Sequence, residues 1–568
     1  MVAGTDAGRK ALSGHWGTPP WNEESPEWIV LDQRLSNAHL ARWVDALVRE
    51  LDLEAFMQGY TGVGVRAHPP DLLLKAVLYE MFQGRLSPAQ WTRDFREVEP
   101  IRWLLFGLEP SRTCLYNFRD RVGSELEHWQ QQILAKAQAE GHTRAERGAI
   151  DGTFTAAYGS RYRLINAETL EKRWQELETA VTTDRAEAAA TGSSVLQQVL
   201  ALLPQTEATT AALVPIGEQR PEATPDIVDQ TLPTTAAAIP PAEAASSRRP
   251  GWMATTPAGR QEQRQKYLRA RQRMQHLQKQ HQQSHKKRSK RQRRPVERLL
   301  VSPTEPEAAL GLDKLKTFRP LYNVQFFRDL DAPFVLGYEV FAAVTDHDLL
   351  IPVIAKTQQL TGRWPRTLLG DGIYASVLDL FWCQKRGITV YAPVDKAAKS
   401  NAKESTKISK SEFTWLPDQQ TYRCPEGHLL DFAREHQERR GQTRALTVLQ
   451  YRCALEHCQA CPRQSACTKT SKRGRSIKRS EHEDLVDNLR LRMREAAGKE
   501  LYKLRKQTVE LGFADLKQHR GLRRFCSYGL SRACIQVGLL VLANNGLALL
   551  KARDQLPSCT ATSYKETG

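Results

Sequence analysis

The sequence predicts an α/β protein: a core in which strands alternate with helices, preceded by an all-helical region and interrupted by segments of different composition. Three observations carry that prediction. RGAIDGTFTAAY at 147–158 reads as a strand with an acidic residue in its middle, and RTLLGDGIYAS at 366–376 as a short apolar strand ending at Asp-Gly. Stretches rich in Val, Phe and Ile (YNVQFF, FVLGYEVFAAVT, LLIPVIAK, GITVYAPV) follow one another between 322 and 394, with helix-compatible sequence among them. Residues 28–140 instead place apolar residues three and four apart, as at Leu72, Leu73, Ala76 and Val77, the period of a helix face.

The 568 residues exceed one ordinary domain, and 40% hydrophobic content with 12 Trp suffices for sizeable cores. The opening MVAGTDAGRK is polar and does not read as a signal peptide. ACIQVGLLVLANNGLALL at 533–550 contains Gln536, Asn544 and Asn545, which suits a helix buried in protein better than a bilayer span. A cytoplasmic protein with no membrane partner is expected.

The expected organisation is a loosely ordered tail at 1–25 and a helical DNA-binding domain at 26–140. A first part of the core follows at 141–400, carrying a low-complexity and basic insertion at 170–300. A Cys-rich insertion is expected at 401–480, the second part of the core at 481–555, and a tail at 556–568. Ser87 and Ser111 stand where N-caps belong. The two short helices they open suggest a helix-turn-helix-like unit, its second helix presenting Arg112, Asn117, Arg119 and Arg121; an ordinary solvated helix face is the alternative.

The net charge of +18 points to a polyanion, but 13 Lys and Arg without one Asp or Glu lie between Arg264 and Arg294. Removing them leaves +5 for the rest, so the global charge does not by itself make the folded body a nucleic-acid binder. The basic run would contact phosphates without reading sequence, or be a solvated insertion.

Asp151 and Asp371 each follow a short apolar stretch and precede Gly. A carboxylate at the mouth of a sheet, with Gly permitting close backbone approach, suits a hard cation, though Asp-Gly is also a common turn. The stretch 500–525 is helix-compatible, with Glu510 among basic residues. At about 100° per residue, Tyr502, Lys506 and Lys517 lie roughly 80°, 40° and 20° from Glu510, while Arg505, at about 140°, falls off that face. An acid flanked by bases and a Tyr suits a surface holding a metal and phosphates; i,i+4 pairing on a solvated helix is the plainer reading.

Five of the ten cysteines crowd into 424–467. Cys458-x2-Cys461 has thiolate-pair spacing, and Cys467 with Cys453 or Cys424 could complete a tetrahedral structural Zn²⁺ site, with His428 and His457 as substitutes. A metal-free loop is the alternative.

AIDGT, LLGDGIYAS and YKLRKQTVELGFADLKQHRGLRRF, in that order, resemble the three acidic blocks of the DDE transposases of bacterial insertion sequences. HPPDLLLKAVLYEMFQGRLSPAQW, IRWLLFG and TCLYNFRDRV are similar to the helical domain that often precedes that core. YNVQ and TDHD resemble its second-strand region, and RGLRRF through LANNGLALL its tail. The resemblance implies an RNase H-like core whose catalytic Asp151, Asp371 and Glu510 hold two Mg²⁺ (or Mn²⁺) ions, with Asp151 bridging them. Two such ions clamp an in-line displacement at phosphorus. Asp346 and Asp348 of TDHD are secondary candidates.

The family's Glu block reads Tyr-x2-Arg-x3-Glu-x6-Lys. Tyr502, Glu510 and Lys517 match it, but four residues separate Arg505 from Glu510 instead of three. Arg505 and Lys506 therefore both stand as the phosphate-contacting base. The implied function is binding of terminal inverted repeats, metal-dependent cleavage of double-stranded DNA and strand transfer to target DNA, by a homodimer at the bacterial nucleoid. The alternatives are a nuclease of the same fold that does not join ends, and a transposase-derived DNA-binding protein without catalysis.

Overall fold

The structure, a computed structural model, describes residues 16–60, 66–190, 249–286, 295–394, 408–440, 444–468 and 472–553. It forms two compact units, Met1–Arg163 with Glu307–Gly568, and Leu164–Pro306. The low-complexity stretch expected between 191 and 248 and the end of the basic run at 287–294 lie outside the described residues.

The first unit opens with short helices: α1 (Pro26–Arg34), α2 (Leu40–Arg49), α3 (Glu54–Gln58), α4 (Pro70–Phe82), α5 (Pro88–Glu97), α6 (Glu99–Leu104), α7 (Arg112–Val122) and α8 (Leu126–Ala139). Prolines start α1, α4 and α5, where the missing N–H would have had no helical partner. Ser111 caps α7 by accepting from Cys114 N at 3.2 Å, whereas Ser87 occupies the cap position of α5 without a side-chain bond. Nearly all of α4 is buried, including Lys75, which pairs with Asp45 at 2.7 Å. The chain before α1 is laid on these helices from Trp16 onward, with Gly17 N bonded to Ala67 O and Trp21 N to Phe106 O. On α7, Arg112, Asn117 and Arg121 are exposed but Arg119 is not: it is buried beside Phe118 and bonded to Asp120 and Ser527. The expected four-residue basic face is thus reduced to three.

Strand β1 (Arg147–Ala156) leads to the second unit. There α9 (Ala167–Ala190) and α10 (Pro257–Lys286) bury Leu170, Trp174, Leu177 and Val181 with Tyr267, Ala270 and Met274. Acidic residues of α9 meet basic ones of α10: Asp184 with Arg260, Glu178 with Arg264, and Glu171 with Arg271. The described part of the basic run is therefore a helix with its own core, and part of its charge is spent within that unit.

The chain returns as β2 (Ala309–Leu312), β3 (Phe318–Asp329) and β4 (Val335–Phe341), followed by α11 (Leu350–Thr361), β5 (Thr367–Leu369), α12 (Val377–Gln384) and β6 (Thr389–Tyr391). β3 pairs antiparallel with β1 from Gly148↔Asp329 to Ala156↔Leu321 and carries β2 and β4 on its other edge. β5 and β6 extend the opposite side of β1, parallel to it. The sheet is mixed, with β1 central. Helix α11 lies so close to β4 that a Cβ on Gly337 would sit 2.0 Å from Thr357 Oγ1.

A second sheet, antiparallel throughout, contains β7 (Thr414–Leu416), β8 (Thr421–Arg423), β9 (Leu429–Arg440), β10 (Arg444–Cys453) and β11 (Ser476–Ser480), with the short helices α13 (Leu455–Gln459) and α14 (Gln464–Cys467) before β11. It has its own small core around Phe413, Tyr422, Leu430, Tyr451 and Ile477. Helices α15 (Glu483–Arg494) and α16 (Ala496–Arg505) follow, then a π turn (Lys506–Glu510), α17 (Leu511–Gln518) and α18 (Leu530–Ala552).

Helix α18 is long and apolar enough to span a membrane, yet 83% of its apolar window is buried in the protein. Its polar residues explain why. Asn545, fully buried, donates to Val335 O and Gln130 Oε1 and accepts from Val335 N at 2.8 Å. The amide satisfies an edge of β4 that would otherwise leave buried backbone groups unpaired.

Candidate active site

Strand alternation sends Ala149, Asp151 and Thr153 to one face of β1 and Ile150 and Gly152 to the other. Ala149 packs with Leu369 and Val509, joined by Leu501, Leu504 and Phe513. The helix carrying Glu510 thus lies over the face from which Asp151 projects. Asp371 is reached two residues after β5, the parallel neighbour in which Leu369 stands opposite Ala149. It caps the turn that follows by accepting from Ile373 N at 2.8 Å.

Burial raises the Asp151 carboxyl above its ordinary range, opposed by the Arg505 guanidinium and by the Gly152 N–H at 2.8 Å, and reinforced by Asp371 and Asp346. Arg505 Nη2 stands 3.0 Å from Asp151 Oδ2, both side chains largely enclosed. Tyr502 shares this pocket: burial pushes its hydroxyl up, and Arg505 partly offsets the shift.

The π turn changes the helical phase expected from sequence. A π turn closes i→i+5 bonds and so takes up one residue more than an α turn. That residue removes about 100° of rotation, bringing Arg505 from roughly 140° to about 40° from Glu510. Arg505, placed off the Glu510 face by an unbroken α-helix, is the base that reaches Asp151, and Lys506 is exposed. The extra residue between Arg505 and Glu510 is absorbed where it occurs.

Lys517 lies on α17, and its Nζ donates to Phe154 O at 3.0 Å. Burial, then repulsion from Lys314 and Arg523, lowers its pKa to about 8, with Asp313 opposing. Glu510 is exposed, one residue past the buried Val509. Among the described residues, no three His, Cys, Asp or Glu side chains form a ready-made metal-binding group.

Asp346 is drawn in more closely than its secondary standing suggested. Its Oδ1 accepts from Asn323 Nδ2 and Gln325 Nε2, both at 2.7 Å, and both amides belong to fully buried residues of β3. Gln325 also accepts from Tyr374 OH at 2.7 Å. Burial, then Asp346, Asp151 and Asp371, keeps the Tyr374 hydroxyl protonated. Asp348 is exposed, with φ 65°. Gly152 is required here, because a Cβ would lie 2.0 Å from Gln325 Nε2 and 2.6 Å from Asp346 Oδ1. The signal for this network was the YNVQ motif, whose Asn323 and Gln325 stand two apart on one strand face.

The charges of Asp371 and Asp346 are felt at Asp151, against which the Arg505 guanidinium lies; carboxylate oxygens are the donors that hard cations prefer.

In the second sheet, Cys424, Cys453, Cys458, Cys461 and Cys467 line one small cavity together with His428 and His457. All five are free thiols. The backbone N–H groups of His428 and Arg475 donate to the sulfurs of Cys424 and Cys458, each at 3.3 Å. The two imidazoles stack at 4.5 Å. Burial, then the neighbouring Cys458, pushes the Cys453 thiol up. Five cysteine side chains thus line one cavity, two of their sulfurs facing N–H donors, without a ready-made metal-binding arrangement among the described residues.

No curated protein and no solved structure gives a significant match to the chain. Residues 423–549, under a quarter of the chain, match the family model described as a transposase DDE domain. The segment that runs from the cysteine-lined sheet through the Glu510 helix into α18 is thus similar to a transposase DDE domain.

Proposed function

We propose that the chain is an insertion-sequence transposase that binds the terminal inverted repeats of its element, cleaves the DNA strand and transfers it to target DNA. The observation that carries this reading is the placement of Asp151 on the central strand, Asp371 just beyond its parallel neighbour, and the Tyr502–Lys517 helix across the same face. Strands β1, β3 and β4, antiparallel, followed by β5 and β6 parallel to a central β1, support an RNase H-like core.

In this reading Asp151, Asp371 and Glu510 hold two divalent ions, Mg²⁺ or Mn²⁺. Such ions activate the attacking oxygen and stabilise the leaving one. Around them Tyr502, Arg505, Lys506 and Lys517 form a basic rim for phosphates. The buried amides of Asn323 and Gln325 fix Asp346 against Gly152, where its charge is felt at Asp151. Arg112, Asn117 and Arg121 of α7 face outward and suit contact with duplex DNA. Two element ends call for two protomers, so the working complex is a homodimer on DNA at the bacterial nucleoid.

The cysteine-lined cavity is proposed to hold one structural Zn²⁺ through four of Cys424, Cys453, Cys458, Cys461 and Cys467. Metal analysis of protein purified without chelator tests it: one zinc per chain, lost with stability in Cys458→Ser, is expected, and zinc-free wild type excludes it.

The decisive experiment incubates purified protein with pre-cleaved element ends, target DNA and Mg²⁺ or Mn²⁺. Joined products that vanish in Asp151→Asn support the transposase. Hydrolysis without joining favours a nuclease, and metal-independent binding alone favours a non-catalytic DNA-binding protein.

A further inference from the structure

Arg505 does more than line the rim. Its guanidinium contacts Asp151 Oδ2 at 3.0 Å, while Asp151 Oδ1 takes the Gly152 N–H. Both oxygens of the central carboxylate are thereby engaged. The Arg505 Nε is buried and has no hydrogen-bond partner, although a guanidinium presents five donors in a planar fork. The guanidinium is therefore only partly satisfied at Asp151 and retains a donor for a further acceptor. The π turn places it there: in an unbroken α-helix the same side chain would be about 100° further from Glu510.

We infer that Arg505 is the resident counter-ion of Asp151 in the DNA-free protein, and that it couples metal loading to DNA binding. This rests on the proposal that Asp151 holds a divalent ion. A cation arriving at Asp151 competes with the guanidinium for the same oxygen. A phosphate near the rim offers Arg505 a bidentate partner with matching geometry, which draws it from Asp151. DNA therefore raises metal affinity and, by linkage, metal raises DNA affinity by the same factor. Without DNA the ion pair holds the metal off, which restrains cleavage until an end is bound.

The experiment titrates Mn²⁺ into the full-length protein and follows free Mn²⁺ by electron paramagnetic resonance, with and without a catalytically inert DNA duplex. No turnover is needed. Wild type should bind the Asp151-dependent Mn²⁺ about tenfold more tightly with DNA than without. Arg505→Gln should bind it more tightly than wild type in the absence of DNA and should lose the DNA-induced gain. Arg505→Lys, which keeps the charge but not the fork, should restore the weak DNA-free affinity. Mn²⁺ binding that Asp151→Asn removes but Arg505→Gln leaves unchanged, in both conditions, overturns the coupling while leaving the metal site standing. No Asp151-dependent Mn²⁺ in any variant overturns the coupling and the metal reading together.

Discussion

The ammonium group of Lys517 donates to the carbonyl of Phe154, three residues along β1 from Asp151, at 3.0 Å. The contact fastens α17 to the strand that carries the central carboxylate. It also leaves a lysine whose pKa is lowered to about 8 by burial and by Lys314 and Arg523.

DNA affinity should therefore fall as pH rises through about 8, because the proposed phosphate contact loses its charge there. The unfolded chain binds that proton up to about 10.5, so folding stability from this group rises with pH between the two values, the opposite direction to DNA affinity. Fluorescence anisotropy with a labelled element end should show a Kd increase of about three- to tenfold from pH 7 to pH 9. Lys517→Arg, charged throughout, should flatten the profile. An equally steep profile in that variant would refute the assignment.

Removing the exposed Gln507 should shorten the π turn to an α turn without changing the relation of Arg505 to Glu510. Cleavage by that deletion variant should stay within about threefold of wild type. Inserting one alanine after Gln507 should rotate Glu510 by about 100° relative to Tyr502 and abolish cleavage, with circular dichroism unchanged. A deletion as damaging as the insertion would mean that the π turn does not absorb the extra residue.

Asp346→Asn leaves the Asn323 and Gln325 amides facing an amide in place of an anion. Residues that support metal ligands affect metal affinity by about 10- to 100-fold, and a loss of about tenfold in Mn²⁺ affinity is expected by calorimetry. Gly152→Ala should produce a similar loss by displacing the same two side chains. Wild-type affinity in both variants would reduce the network to packing.

Within the Leu164–Pro306 unit, Arg260 pairs with Asp184 through side chains that are 1% and 4% exposed. Removing one partner of such a buried pair costs about 3–5 kcal/mol. Arg260→Ala should lower the melting transition of this unit, as seen by protease resistance of α9 and α10 on heating. The double change Arg260→Met with Asp184→Leu should recover most of it.

Much of the core was legible because its signals are local. The strand with an acidic residue in its middle becomes β1, the apolar run before Asp371 becomes β5, and the period of three and four over 28–140 becomes α1 to α8. Gln536, Asn544 and Asn545 already marked α18 as a buried helix. What escaped depended on tertiary contacts or on departures from regular geometry. The phase of Arg505 was misjudged because a helical wheel assumes unbroken α geometry, and one π turn shifts everything beyond it. Arg119 was counted with a DNA-facing set because its burial against Ser527 joins residues 408 apart in sequence. The contacts of Asp346 escaped because they are made to two amides of β3, more than 20 residues away in sequence. The helix Pro257–Lys286 looked like a solvated arm because its acidic partners sit roughly 90 residues earlier, beyond a long intervening segment.

The far end of β1 is closed by Ala156, whose N–H donates to Arg523 O and whose carbonyl accepts from Phe525 N. Asp151 emerges early during synthesis, but the strand that holds it is not sealed until a stretch more than 360 residues later has left the ribosome. A nascent or truncated product carries its N-terminal helices while the strand bearing Asp151 is still unsealed. Under the proposed function such fragments would occupy element ends without cutting them, so incomplete synthesis would itself dampen mobility.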